Sequence, residues 1–517
     1  MSAGGPGFVR RSQDLRGRSF DCVVVGGGIH GASLLFELTS RGYRTLLVER
    51  RDFGRGASAR SLRILHGGLR YLQSFDLARF RESVEARRWF LRAFPEFTAP
   101  RSFLLPLDGK GVRHPVPFSA AFALDAWLSR ERNHGVLPTH HLPAGRVVRR
   151  ENLDGVPQVT GAGGAFASWS DGWIADPQRL LLEYLRWSAS LGATVTNHTA
   201  ARPLVRDGEL TGMVLTRDGH EVEIAAPLVV LSAGAWTEPT LNGWGWKLPS
   251  AIPTAKAFNL VLSGATDLGT AGGTPVSGLG VRARDGRNAF LWSDARHTHV
   301  GTVHRIEDST PDEVGVTIAE AEELLRAVDE HLPSVGLLAR RIVSVQVGRL
   351  PSRSGEDPEM PHRDHVVSPD EFGGPKGLFV TMGLKYTTAP VVASRVVDRL
   401  GLRPDPSGAR SIDHPNALPP RPTSRGPLRI PDLLASWETE TDATLEALQV
   451  LREEEAAFGL ADLVLGRLDG SEDTDAAREL AGRLAARLYT TEAERTAQLQ
   501  GLERALASQS LREHANR

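Results

Sequence analysis

Glycines at a spacing typical of a nucleotide-binding turn stand near the start of the chain. The run VVVGGGIHGAS places Gly26, Gly28 and Gly31 after three valines and before a helical pattern. Such glycines allow a tight turn and let the backbone approach a pyrophosphate at the N-terminus of a helix. Glu49 ends the next strand, at the distance where an acid binds a ribose hydroxyl. These residues predict a dinucleotide site; the alternative is a glycine turn that only packs a helix on a strand.

The segment after Glu49 separates the two common dinucleotides. It reads RRDFGRGASARSLRILHGGLRYLQ, residues 50–73, which is long, polar and rich in glycine. We call it the polar crossing. A nicotinamide dinucleotide requires no such crossing, whereas the isoalloxazine ring of FAD lies far from the adenine, and the chain must run along it. Small residues at 56–58 would admit the pyrophosphate, and Arg60 and His66 could approach the ring. We therefore predict FAD as the cofactor.

The elements that would position these residues indicate an α/β protein. Strands expected at 21–25 and 45–48 enclose a helix at 29–41, which is a βαβ start. A hairpin should turn at Asp218 and Gly219. Further helices are expected at 76–94, 177–189, 318–332 and 390–400, and further strands at 228–231, 342–347 and 378–381.

The order of these elements predicts a discontinuous, Rossmann-like FAD-binding domain, an α+β substrate domain on an antiparallel sheet, and a helical C-terminal domain. Eight prolines at 401–431 indicate a linker, and the arginines near the N-terminus a solvated tail. The expected boundaries are 1–19 for a flexible tail, 20–105, 150–245 and 340–400 for the FAD-binding domain, 106–149 and 246–339 for the substrate domain, 401–431 for the linker, and 432–517 for the helical domain.

Composition excludes several classes of protein. The 517 residues carry a formal net charge of −1, so no global field favours nucleic acid. The lone cysteine, Cys22, permits no intramolecular disulfide or zinc cluster and favours a reducing, cytoplasmic location. No stretch approaches the ~20 apolar residues of a membrane-spanning helix. A peripheral position at the inner face of a membrane and a homodimer are further expectations, and no metal is expected.

Several motifs together carry a resemblance to a known family. The run GASARSLRILHGGLRYL, from Gly56 to Leu72, nearly matches the signature of the FAD-dependent, aerobic type of glycerol-3-phosphate dehydrogenase. That family lies within the D-amino-acid-oxidase-like flavoproteins. LSAGAWT at 231–237, MGLKYTT at 382–388 and SWSDGWIADPQRL at 168–180 are similar to further family elements, and residues 451–469 resemble its helical cap.

The motifs and the resemblance define a set of expected cofactor contacts. They combine the glycine turn, the strand-end acid, the polar crossing, the second glycine turn and the region before the last helix of the domain. The expected cofactor-binding residues are Gly26, Gly28, Ile29, His30, Gly31, Glu49, Arg50, Ala57, Ser58, Arg60, His66, Gly67, Gly68, Ala233, Gly234, Gly348, Gly383, Lys385, Tyr386 and Thr387.

The chain departs from the family pattern mainly on the expected substrate side. Leu350 stands where the resemblance implies a substrate-binding arginine, although Arg349 is its neighbour. At a strand entry, Asn259 stands where the resemblance implies a histidine, and His304 stands in place of the expected acid. Ala389 replaces an arginine. The flavin is therefore a firmer expectation than the phosphorylated substrate.

Five side chains are candidates for catalysis. Alcohol oxidation by a flavin needs a base for the hydroxyl proton and a cation near the pyrimidine end of the ring. His66 could be the base, a hydrogen-bonding partner or covalent attachment point of the flavin, or a core residue. Lys385 could supply the cation or lie at the surface. Arg349 and Arg363 could bind a substrate anion or form structural ion pairs, and His304 could be a replacement base or a solvated histidine.

The leading function is oxidation of a small anionic alcohol, with sn-glycerol 3-phosphate giving dihydroxyacetone phosphate and electrons passing to quinone, oxygen or another acceptor. The altered substrate side keeps a second alternative open, an oxidase or dehydrogenase of an amine or a specialised biosynthetic intermediate. A third alternative, from another class, is a flavin-binding protein without turnover.

Overall fold

A seven-stranded, mostly parallel sheet forms the nucleotide-binding half of the molecule. The computed structural model describes residues 7–73, 75–282, 288–361, 363–402, 418, 421–423 and 429–512. The helix Ile29–Ser40 covers one face of the sheet, between the helices Pro177–Ser190 and Ala389–Arg399. Only the last strand pair is antiparallel. The strand order is Gly7–Phe8, Thr194–Thr196, Thr45–Val48, Cys22–Val25, Val229–Leu231, Leu378–Met382, His365–Val367.

The first strand of this sheet corrects the expectation of a flexible tail. Residues 1–6 lie outside the described residues, but Gly7–Phe8 pairs with Thr194–Thr196. Val9, Leu15 and Phe20 are buried in the core beneath the sheet. The arginines of the N-terminal segment suggested that it would be exposed to solvent. Its few apolar residues instead hold it against the sheet, because burying them is favourable.

A nine-stranded sheet faces the first one. Residues 98–105, 165–174 and 342–351 also belong to this sheet, although the sequence analysis assigned them to the FAD-binding domain. The chain therefore passes between the two sheets more often than expected. Prolines at 100 and 106 hid the period of the first of these strands. The order is Ile342–Pro351, Thr254–Ser263, His297–Arg305, Asn288–Ser293, Gly278–Arg282, Thr98–Leu107, Ala165–Ile174, Ile64–Leu65, with Arg146–Arg149 paired to Ala165–Ile174.

Smaller strand groups and the remaining helices complete the fold. The expected hairpin is confirmed, with Glu209–Arg217 and His220–Ala225 joined at Asp218 and Gly219 beside Ala200–Arg206. Among the described residues no helix is long and apolar enough to cross a bilayer. The other strands are Leu153–Asp154, Thr270–Ala271, Thr274–Pro275, Val316–Thr317 and Leu511–Arg512. The other helices before the C-terminal region are Leu69–Gln73, Leu77–Ala93, Pro115–Leu128, Thr237–Gly243, Ile318–Asp329 and Pro369–Phe372.

The C-terminal region is helical, as expected, and it is joined to the nucleotide-binding half by buried ion pairs. Most of the expected linker at 401–431 lies outside the described residues. Arg179 donates to both carboxylate oxygens of Glu455 at 2.8 Å. Arg467 donates to both oxygens of Asp52 at 2.8 and 3.0 Å. The helices here are Ile430–Ala435, Trp437–Glu454, Asp462–Arg467, Thr474–Leu488 and Glu492–Leu506.

Candidate active site

A cavity of about 1550 Å³ lies between the two large sheets. Its walls come from the ends of the parallel strands on one side and from the nine-stranded sheet on the other. The substrate-side candidates Arg349 and His304 also line it. The expected cofactor-binding residues that line it are Gly26, Gly28, Ile29, His30, Glu49, Arg50, Ala57, Ser58, Arg60, His66, Gly68, Ala233, Gly234, Gly348, Gly383, Lys385, Tyr386 and Thr387.

The glycine turn is held by close backbone approaches. A Cβ at Gly26, whose φ is +120°, would lie 2.3 Å from the carbonyl oxygen of Ser232. A Cβ at Gly31 would lie 1.9 Å from the carbonyl oxygen of Gly26. Gly31 does not line the cavity; it lets the helix pack on the first strand, which is the usual task of the third glycine. The N-terminus of the helix Ile29–Ser40 is thereby brought to the cavity wall.

Glu49 sits at the end of its strand and organises the same turn. Its carboxylate accepts the N–H of Gly27 at 2.6 Å and the N–H of Arg51 at 2.8 Å. Burial raises the pKa of Glu49, although the two N–H donors oppose the shift. Nearby, the hydroxyl of Ser58 accepts the N–H of Ile29 at 3.0 Å, which ties the polar crossing to the helix.

Arg60 lines the cavity, but its donors are used within the protein. It donates to the carbonyl oxygen of Val347 at 2.8 Å and to the hydroxyl of Ser508 at 2.9 Å. A Cβ at Gly348 would lie 3.1 Å from the Cβ of Ala57, so this strand and the polar crossing approach closely. Arg60 therefore links the crossing to the C-terminal helices.

His66 faces a buried aspartate that sequence reasoning did not select. Its Nδ1 lies 3.5 Å from Asp171 Oδ2, and about half of its side chain is exposed to the cavity. Asp171 also accepts the N–H of Gly67 at 2.9 Å and a guanidinium donor of Arg87. Burial alone would raise the pKa of Asp171, but His66, Arg87 and the N–H of Gly67 outweigh it and lower the pKa. Gly67 lies outside the lining, and a Cβ there would lie 2.0 Å from Arg87 Nη1.

Lys385 lies just after the strand Leu378–Met382, as expected, and contacts the phenol of Tyr71. Its ammonium donates to Tyr71 Oη, and its Nζ lies 4.2 Å from the ring centroid. Arg79 donates to the same oxygen at 3.0 Å. His30 Nε2 lies 3.1 Å from the carbonyl oxygen of Lys385, which fixes the turn beside the cavity.

The helix that follows this turn is Ala389–Arg399. Thr388 is the N-cap residue of Ala389–Arg399, yet its side chain makes no capping hydrogen bond. Its hydroxyl lies 3.4 Å from the carbonyl oxygen of Lys385 instead. Thr387 is buried and lines the cavity.

Two arginines expected to bind a substrate anion do not present their donors for that purpose. Arg349 donates to Thr254 Oγ1 at 2.9 Å, to Ser309 Oγ at 2.8 Å, and to the carbonyl oxygens of Thr254 and Glu307 at 3.1 and 3.0 Å. Arg363 is exposed and does not line the cavity. Because these contacts involve distant segments, the local sequence could not reveal them.

Asn259, at the position where the resemblance implied a histidine, also lines the cavity. Its amide oxygen accepts the hydroxyl of Thr302 at 2.7 Å, and its amide nitrogen donates to the carbonyl oxygen of Arg60 at 3.3 Å. His304 follows on the same strand as Thr302 and pairs with Ala257. The departures from the family pattern therefore cluster on one wall.

These features define the class, and comparison with known proteins agrees. A nucleotide-binding glycine turn, a strand-end acid and a cavity under an antiparallel sheet are joined in one chain. Residues 21–399 match the family described as FAD dependent oxidoreductase, and the chain belongs to that family. It is an FAD-dependent enzyme.

Glycerol-3-phosphate dehydrogenases are among the proteins to which the chain is similar. The aerobic glycerol-3-phosphate dehydrogenase of Staphylococcus epidermidis is 27% identical over 406 residues, covering 76% of this chain and 68% of the relative. The glycerol-3-phosphate dehydrogenase of Bacillus halodurans, solved with FAD, has a TM-score of 0.65 at 19% identity and covers 96% of both chains. The L-proline dehydrogenase of P. horikoshii has a TM-score of 0.55 at 17% identity, covering 75% of this chain and 94% of its own.

The residues present fit FAD. The turn at Gly26 to Gly31 has no room for a Cβ at either end. Glu49 is half-buried at the strand end where a ribose would lie, and it lines the cavity. The cavity exceeds the ~300–1,000 Å³ usual for one small ligand, which leaves room for cofactor and substrate together.

Sequence reasoning missed Asp171 and Tyr71 as parts of this site. Asp171 carried a signal, since it is a carboxylate within the otherwise apolar and aromatic strand AFASWSDGWI. Tyr71 carried none beyond its place after the paired glycines, because its contact with Lys385 joins segments more than three hundred residues apart.

Proposed function

We propose that the chain oxidises a small anionic alcohol, with sn-glycerol 3-phosphate giving dihydroxyacetone phosphate as the leading reaction. FAD, when bound, supplies the acceptor of the two electrons. The observation that carries the proposal is the pairing of cavity-lining His66 with buried, ionised Asp171. The relatives named aerobic glycerol-3-phosphate dehydrogenase support the choice of substrate.

His66 is proposed to accept the hydroxyl proton of the substrate. Asp171 lies 3.5 Å from its Nδ1 and remains ionised, so it would stabilise the imidazolium that forms. Asp171 is itself held by Arg87 and by the N–H of Gly67. A carboxylate fixed in this way orients the imidazole and does not need to take the proton.

Several cations support an anionic substrate even though Arg349 is engaged elsewhere. Arg353 lines the cavity but donates to Asp357 at 2.8 Å and to Glu359 at 3.1 Å. Lys385, Lys110 and Arg113 also line it. A phosphate dianion requires two or more cationic partners, and arginine supplies forked donors. We propose that these residues replace the arginine pair that the sequence suggested.

An amine or a specialised biosynthetic intermediate is the second candidate substrate. Leu350 lines the cavity where the resemblance implied an arginine, and Arg349 donates to Thr254, Ser309 and Glu307. Fewer cations on this wall would suit a substrate with less negative charge.

Anaerobic mixing with candidate substrates tests the proposal. sn-Glycerol 3-phosphate should bleach the flavin absorbance, whereas glycerol, which lacks the phosphate, should act far more slowly. Lys385→Met should weaken the response to the phosphate ester without loss of bound FAD. If sn-glycerol 3-phosphate is inert and an amine bleaches the flavin, the second candidate is correct.

The electron acceptor is proposed to be a quinone, reached from the surface of a membrane. The helix Pro115–Leu128 exposes Val116, Leu124 and Trp127 along one face, at 69, 37 and 63%. Lys110 and Arg113, which line the cavity, precede this helix. An exposed apolar face beside basic residues is suited to an anionic lipid surface.

Sedimentation with anionic vesicles tests this location. Trp127→Ser should reduce binding to vesicles roughly tenfold, because the variant can no longer bury one large apolar side chain in the membrane. Leu338→Ser alters a similarly exposed residue elsewhere and should leave binding unchanged. If Trp127→Ser instead converts a homodimer to a monomer with no change in vesicle binding, the face is a subunit interface.

A further inference from the structure

A buried cluster of three metal-type ligands lies outside the cavity, where the nine-stranded sheet meets the C-terminal helices. The side chains are Asp294, His299 and Glu472, and one ligand atom from each lies within 4.8 Å of the others. His299 Nε2 is 3.9 Å from Asp294 Oδ2 and 3.7 Å from Glu472 Oε1. None of the three residues lines the cavity.

The cluster is positioned by its surroundings. Asp294 follows the strand Asn288–Ser293, and its Oδ1 accepts the N–H groups of Arg296 and His297, each at 2.8 Å. Its Oδ2 is left on the side of His299. The imidazole of His299 stacks on the indole of Trp292, with the centroids 3.8 Å apart and the planes at 7°. Asp294 and His299 are therefore each oriented by contacts that do not involve the other.

His299 has no hydrogen-bond partner among the described residues. It is only 1% exposed, and both of its ring nitrogens are buried without a partner. The distances to the two carboxylates are too long for hydrogen bonds. A buried polar group left unpaired is costly, which points to a missing ligand.

We propose that Asp294, His299 and Glu472 bind a divalent first-row transition metal ion, with Zn²⁺ as the probe. Imidazole favours such an ion over Mg²⁺ and Ca²⁺, which take oxygen ligands. Tetrahedral zinc holds its ligands ~2.0–2.2 Å away and thus about 3.4 Å from one another. The two separations from His299 Nε2, 3.7 and 3.9 Å, are slightly longer than this, and the two carboxylates lie within 4.8 Å of one another.

Nearby charge also favours a cation. Glu472 Oε1 lies 2.7 Å from Arg63, whose guanidinium is also 3.1 Å from Asp469. Asp176 faces the same guanidinium. Three carboxyl groups therefore share one guanidinium, so acidic side chains outnumber basic ones around Glu472.

A second cluster of the same residue types provides the contrast. Asp52, His198 and Asp462 also lie close together. However, His198 Nε2 is hydrogen-bonded to Asp462 at 2.8 Å, and Asp52 accepts two bonds from Arg467. The contrast lies in the histidine: His198 is hydrogen-bonded to a carboxylate, whereas both ring nitrogens of His299 are unpaired, so His198 is a matched control.

Metal content and thermal unfolding of the FAD-loaded enzyme test the proposal. After chelation and dialysis, addition of Zn²⁺ should restore about one bound ion per chain and should raise the Tm by roughly 3–6 °C. Mg²⁺ and Ca²⁺ should have no such effect. His299→Gln should lose the bound Zn²⁺ and the Tm shift, whereas His198→Gln should keep both.

Two results would overturn the proposal. One is a wild-type protein that neither retains Zn²⁺ nor gains stability from it; the other is a His299→Gln protein that binds Zn²⁺ as the wild type does. If His299→Gln does not fold, Asp294→Asn serves in its place, since Asp294 is partly exposed. It should weaken Zn²⁺ binding ~10–100-fold, and unchanged binding would contradict the assignment.

Discussion

The two walls of the cavity differ in how they are built. On the nucleotide wall, contacts come from the backbone turn at Gly26 to Gly31 and from Glu49, and each lies where the sequence indicated. On the opposite wall, Arg349 donates to Thr254, Ser309 and Glu307, and Arg363 does not line the cavity at all. Turn geometry is dictated by local sterics, whereas the direction of a long side chain depends on partners that are distant in sequence. The comparison teaches that the cofactor is the more predictable of the two ligands.

The largest effect is expected on the nucleotide wall. Gly31→Ala would place a Cβ 1.9 Å from the carbonyl oxygen of Gly26, so it should abolish FAD binding or cost ~2–4 kcal/mol of stability. Flavin content and thermal unfolding measure this. Gly482→Ala is the control, since a Cβ there meets nothing within 4 Å and should stabilise its helix by about 0.5–1 kcal/mol. Normal flavin content in Gly31→Ala would contradict the packing described.

Lys385→Met should give the next largest effect. Loss of a positive charge next to the cavity is expected to lower kcat/KM for an anionic substrate by ~100-fold, or about 2.7 kcal/mol. Lys385→Arg should retain part of the activity because the charge remains. Steady-state kinetics with sn-glycerol 3-phosphate measure both variants, and an unchanged kcat/KM in Lys385→Met would remove this residue from the substrate site.

Asp171→Asn should lower kcat by roughly 10–100-fold and should change KM less, because an amide cannot stabilise an imidazolium at His66. The pH dependence of stability provides a second measurement. The pKa of Asp171 is lowered in the folded protein, so its contribution is complete above the unfolded pKa of ~3.9 and is lost as pH falls through the lower folded pKa.

The difference in unfolding free energy between wild type and Asp171→Asn should therefore be constant from about pH 5 to 8 and should shrink only in stronger acid. Chemical unfolding at several pH values tests this. A difference that grows toward low pH would mean that the carboxylate is not ionised in the folded protein.

The smallest effect on turnover is expected at Arg349. Arg349→Met removes donors to Thr254, Ser309 and Glu307, so it should cost ~1–3 kcal/mol of stability while KM changes only a few-fold. Thermal unfolding and KM are measured on the same preparation. A large rise in KM with an unchanged Tm would assign Arg349 to the substrate and would weaken the contrast between the two walls.

Much of the fold follows from local pattern. The strand Thr45–Val48 was predicted to the residue, and the helix Ile29–Ser40 to within one residue, because glycine, periodicity and strand-end signals coincide there. Sheet membership was less predictable. Thr98–Leu107 and Ala165–Ile174 pair with each other, yet the sequence of neither segment indicates which strand it pairs with.

The site shows the same division. Glu49 and Ser58 lie beside the glycine turn, as the spacing indicated, and there they accept the N–H groups of Gly27 and Ile29. Asp171 and Tyr71 were missed because their roles depend on Arg87 and Lys385, which other segments supply. Long-range pairing of polar side chains was the information that the sequence pattern lacked.

The salt bridges to the C-terminal helices limit how far this protein can be treated as modular. Arg179 and Glu455 are almost completely buried, as are Asp52 and Arg467. A version truncated after residue 400 would take Glu455 from Arg179, which keeps Glu183, and Arg467 from Asp52, which keeps the amide of Asn197. Breaking a buried ion pair by removing one partner costs about 3–5 kcal/mol. Chimeras between relatives should therefore be viable only when both members of each pair are inherited from the same parent.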